Sequence, residues 1–171
     1  AVFQNGQALG TIGGGAVERI AAQQAVELFR TGASYCQAFC LAPNQVNDIG
    51  MICGGNVTVY FRFFDHENAR DLELVKTILE LLASGQDAWL VSRMEDGKIT
   101  AMGTFDEAHG LRFAELDETM LRPWLTSSAV YRKGEPSYYV EPISRAGRVY
   151  IFGGGHVGKA LAPVLANVGF R

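Results

Sequence analysis

The sequence is poor in the features that small secreted or charged scaffolds rely on. Its 171 residues include three cysteines and five prolines, and only 19% are charged. Three thiols, at Cys36, Cys40 and Cys53, are too few and of the wrong parity for a disulfide framework. Free thiols in a reducing cytosol are the economical reading, so a cytoplasmic location is expected. An excess of one charge sign is also missing, because 15 Lys and Arg stand against 18 Asp and Glu with no basic cluster. Nucleic-acid binding needs cations gathered against phosphates, and is not expected. No apolar run approaches the ~20 residues that cross a bilayer, which excludes a transmembrane helix. The chain opens without an initiator methionine or a charged segment leading into an apolar one. The start of the first domain is therefore expected to be missing.

Apolar residues and glycine are abundant. A hydrophobic fraction of 48%, with 11% aromatics, builds a core and rules out intrinsic disorder. Glycine supplies 20 residues, well above average usage, and gathers before predicted helices. Asn5-Gly6 between apolar residues predicts a tight hairpin. It leads to Gly13-Gly14-Gly15 and then to a helix with Val17, Ile20, Ala21, Ala25 and Leu28 on one face, stopped by Gly32. Strands are expected at 34–41 and 56–64, the second burying Val57, Val59, Phe61 and Phe63. Asp65 can cap a helix running to about residue 83, with Leu72, Val75, Leu79 and Leu82 on one stripe and Leu74, Ile78 and Leu81 broadening it into an arc wide enough to pack on a sheet. Hairpins follow at 88–93 with 99–105 and at 128–131 with 138–141, and between them lies a short helix around 117–121 ended by Pro123.

The expected architecture is α/β. A mixed-sheet N-terminal domain over 1–143 and a linker at 144–148 precede the first strand and helix of a Rossmann-like domain at 149–171. A dinucleotide-binding half needs a βαβαβ unit and an acidic residue about 20 positions past its glycines. Neither falls within the chain, so only the opening of such a domain is read here. An incomplete sheet edge exposes an apolar strand and helix, from which self-association into a homo-oligomer is expected.

Three constellations can carry chemistry. Gly153, Gly155 and Gly158 stand in the G-x-G-x-x-G pattern between predicted strand and helix, where amides and the helix dipole attract an anion. A tight turn without a ligand accounts for the same residues, and His156 inside the loop either faces a pyrophosphate or is an ordinary surface histidine. Gly13, Gly14 and Gly15 form either an anion nest or a turn that needs positive φ, with Glu18 favoured in the first helical turn in both cases. Cys53, between Gly50-Met51-Ile52 and Gly54-Gly55, is either an open thiolate suited to a soft metal or sulfur transfer, or a small core residue. Cys36 and Cys40 read as core. No triad elbow, zinc-protease motif or Walker loop occurs.

The stretches GTIGGGAVE at 10–18, GMICGG at 50–55 and VYIFGGGHVG at 149–158 resemble, in order and spacing, the XdhC/CoxI family. These are accessory proteins of molybdenum hydroxylases such as xanthine dehydrogenase and carbon monoxide dehydrogenase. The resemblance implies a chaperone that binds the molybdenum cofactor, as molybdopterin or its dinucleotide form, supports its sulfuration and inserts it into the apo-enzyme. It makes Gly13, Gly14, Gly15 and Glu18, with Gly54 and Gly55, the cofactor cradle, and Cys53 the reactive and metal-contacting residue. Gly153, Gly155, His156 and Gly158 become the start of a nucleotide-type site. The implied partners are the hydroxylase apo-enzyme and a cysteine desulfurase, for a maturation factor rather than an enzyme in the usual sense. The alternative is an NAD(P)-dependent oxidoreductase using the loop at 153–158.

Overall fold

The computed structural model describes residues 1–41, 55–143, 149–168 and 170. Their contacts divide the chain into two compact units. Unit 1 takes Ala1–Leu72, Arg93–Thr100 and Glu135–Ser137, and unit 2 takes Glu73–Ser92, Ala101–Gly134 and Tyr138–Arg171. Helices and antiparallel strands mix throughout, as the α/β reading expects.

In unit 1 the Asn5-Gly6 turn forms, with Gly6 at φ 80° and its amide donating to the Phe3 carbonyl at 2.9 Å. The strands expected to flank it shrink to a single bridge between Val2 and Ala8. Helix α1 spans Gly15–Thr31 and ends at Gly32, whose left-handed φ of 64° lets its amide return to the Leu28 carbonyl. The antiparallel pair β1 (Tyr35–Cys40) and β2 (Asn56–Phe61) supplies the surface against which α1 buries its apolar stripe. Ala21 and Leu28 of α1 pack with Phe61, flanked by Ala25, Tyr35, Val59 and Phe63. Burial along β2 is graded, since Phe61 is buried while Val57 remains exposed.

Cys36 and Cys40 are half-buried, not core. Side chains alternate along a strand, and Phe39 takes the buried face of β1, so both thiols lie on the opposite face with exposed Ala38.

Helix α2 covers Ala69–Ser84. Its cap is Asn68 rather than Asp65: the Asn68 side chain accepts the Arg70 and Asp71 amides, whereas Asp65 accepts that of Glu67. Asn68→Ala is expected to lower stability by about 1 kcal/mol in denaturant unfolding, while Asp65→Ala should cost less. Burial on α2 favours one side of the expected apolar arc. Asp71, Leu74, Thr77 and Leu81 are buried, whereas Leu72 and Leu79 are exposed. Asp71 accepts a 2.7 Å bond from Arg62 and a 3.0 Å bond from the Asp65 amide, which satisfies its carboxylate where it is buried.

The five-stranded sheet has the order β5-β4-β3-β7-β6, with β3 at Ala88–Glu95, β4 at Lys98–Asp106, β5 at Gly110–Arg112, β6 at Val130–Arg132 and β7 at Ser137–Pro142. Asp96 and Gly97, both at positive φ, make the two-residue β3–β4 turn that Asp-Gly favours. Short helix α3 (Glu118–Leu121) is capped by Asp117, and Pro123 lies in a 3-10 turn at Arg122–Trp124. In unit 2, Val91, Phe105, Leu121 and Val140 form one core cluster, and Leu81, Ala88 and Ile143 form another.

The strand expected at 149–152 does not form, because no strand among the described residues hydrogen-bonds to that segment. The helix after it does form, as α4 over His156–Asn167, with no buried residue. Among the described residues no helix is long and apolar enough to cross a membrane.

Candidate functional site

The first glycine motif is built around a carboxylate. Gly13, Gly14 and Gly15 have φ of 115°, 79° and 71°, a run that L side chains rarely adopt and that turns the backbone into α1. Glu18, one turn into the helix, reaches back to this bend. Its Oε2 accepts the Thr11 hydroxyl, the Ile12 amide at 2.8 Å and the Gly14 amide at 3.0 Å, while Thr11 Oγ1 accepts the Gly13 amide at 3.1 Å. The Thr11 hydroxyl, and after it these two amides, hold the Glu18 carboxyl below its ordinary pKa.

The bend therefore already holds one negative charge, and that charge comes from the protein. Open space surrounds Gly13 and Gly14. Gly14 has no side chain to cap α1, and the first-turn amides of Gly15, Ala16 and Val17 donate to no side chain among the described residues. Glu18→Ala should loosen the bend, seen as faster amide hydrogen exchange at Ile12 and Gly14 with the rest of α1 unchanged. Unchanged exchange there would show that the three bonds contribute nothing.

The second motif is only partly in view. Cys53 and Gly54 lie outside the described residues. Gly55 is described, at φ 116° with open space around it, and its carbonyl accepts the Leu41 amide at 2.9 Å. Among the described residues no group of three or more His, Cys, Asp or Glu side chains could hold a metal ion.

The third motif opens a helix, but no strand directly precedes it among the described residues. Gly153 has φ 115°, and Gly153, Gly154 and Gly155 stand in open space. A Cβ on Gly158 would lie 2.7 Å from the Gly153 carbonyl oxygen and 3.2 Å from Ile151 Cγ2. Only glycine lets the helix approach the incoming chain this closely, which is the packing role of the last glycine in such a loop. The exposed His156 is the first residue of α4, and Gly155 caps the helix without a side chain.

The most heavily bonded carboxylate is one that the sequence did not single out. Asp106, at the end of β4, is 2% exposed and accepts from the Ala108 amide, the His109 amide and the Arg112 guanidinium at 3.0–3.1 Å, with its Oδ1 2.8 Å from His109 Nδ1. Asp, His and Arg spaced by three residues around Gly110 was the available signal. The constellation ties the β4–β5 turn together, and no nucleophile or metal set accompanies it among the described residues.

Residues 1–39 match the XdhC and CoxI family, which bears out the family resemblance over the stretch that contains the first glycine motif. Among solved structures, this chain is similar to a xanthine dehydrogenase from Bacillus halodurans, with a TM-score of 0.72 and 19% identity. The similarity covers 99% of this chain and 49% of that one, so the chain spans about half the length of that protein. At this identity the likeness shows the fold. No curated protein matches the sequence significantly.

Proposed function

We propose, from the match of residues 1–39 to the XdhC and CoxI family, that this chain is part of an accessory protein of a molybdenum enzyme. In this reading it holds the molybdenum cofactor, supports its sulfuration and passes it to the apo-hydroxylase. The observation that carries the reading is the glycine bend before α1. It falls inside the family match, and its uncapped first-turn amides lie beside a backbone bent open by three positive-φ glycines.

The residues present fit the phosphate end of such a cofactor. Amides at a helix start carry partial positive charge and suit a phosphate, and glycine keeps side chains out of the way. Glu18 pins the bend through its three hydrogen bonds, which leaves the amides of Gly15, Ala16 and Val17 to meet the phosphate. The cofactor, when bound, supplies the molybdenum and its sulfur ligands. Cys53 would meet that end as a soft thiolate donor. In unit 2 the loop at 153–158, with His156 at the start of α4, is a separate helix start, suited by itself to a nucleotide phosphate.

A direct test isolates the protein anaerobically from cells that make the cofactor, denatures it, and assays released pterin by fluorescence after oxidation. Co-purified pterin is expected for the wild type, with at least a tenfold loss in Cys53→Ala and in an Ala16→Pro variant that removes a first-turn amide inside the helix. Wild-type protein free of pterin would overturn the reading. Retention of pterin in Cys53→Ala alone would remove only the thiol's role.

A further inference from the structure

We draw no further inference here: the strongest candidate, the exposed apolar surface formed by Tyr150, Phe152 and the α4 residues Val157, Leu161 and Val164, carries nothing because nothing in the structure shows what covers it.

Discussion

Asp106→Ala is expected to destabilise unit 2 by about 3 kcal/mol, the lower end of the range for breaking a buried ion pair. The argument rests on what the carboxylate leaves behind. Its side chain is 3% exposed, so the Ala108 and His109 amides and the Arg112 guanidinium would lose an acceptor that water cannot fully replace. Arg112 still reaches solvent, which keeps the effect from the top of that range. Asp106→Asn keeps one oxygen acceptor and should fall between the alanine variant and the wild type in denaturant unfolding. An alanine variant within 1 kcal/mol of the wild type would show that the turn stands without this network.

The same network sets a pH dependence. Burial pushes the Asp106 carboxyl upward, but the His109 hydrogen bond and charge, with the Ala108 and His109 amides, outweigh it and leave the group below its ordinary value. A folded value below the unfolded one adds stability above the unfolded pKa, near 4 for aspartate, and loses it as pH falls through the folded value. The stability gap between wild type and Asp106→Asn should therefore shrink as pH falls below about 4. A gap that widens in acid would contradict the sign.

Phe105→Ala is expected to be at least as damaging, at about 3–5 kcal/mol, because it opens a cavity in a packed cluster. The Phe105 ring is fully buried against Val91, Leu121 and Val140. Trp89 lies 6.2 Å away in a tilted arrangement, and the Arg122 guanidinium sits 5.6 Å from the ring centroid. Loss of the ring should also weaken the near-ultraviolet dichroism of Trp89. Phe152→Ala is the matched control, since that ring is 96% exposed and its removal should change stability by less than about 0.5 kcal/mol. Equal effects at the two positions would misplace the core.

Much of the fold was legible because local rules and tertiary packing agree. The α1 stripe, its stop at Gly32, the hairpins at 88–105 and 128–141 and the short helix around 117–121 stand close to where the residues put them. Departures occur where a partner decides. Asp65 and Asn68 are both able caps, and the backbone path out of β2 selects Asn68. Leucines surround most of α2, so periodicity alone cannot choose a buried side, and packing against the rest of the fold leaves Leu74 and Leu81 buried with Leu72 and Leu79 exposed. A strand at 149–152 needs a neighbouring strand, and local propensity cannot supply one.

The candidate site divides in the same way. Glycines before a helix, an acid in its first turn and the close-packing demand at Gly158 all follow from residue type and spacing, because steric freedom and the helix dipole act locally. The sequence could not tell whether the donors of the glycine bend face a guest or the protein itself, since a side chain seven residues from Thr11 must fold back to reach it. Tertiary structure decided that Glu18 takes the Ile12 and Gly14 amides and leaves those of the first turn. It also decided that Asp106, an unremarkable acid in the sequence, is buried among four donors. In both cases the outcome depended on where the backbone brings charge and amide together, a geometry that composition and periodicity do not contain.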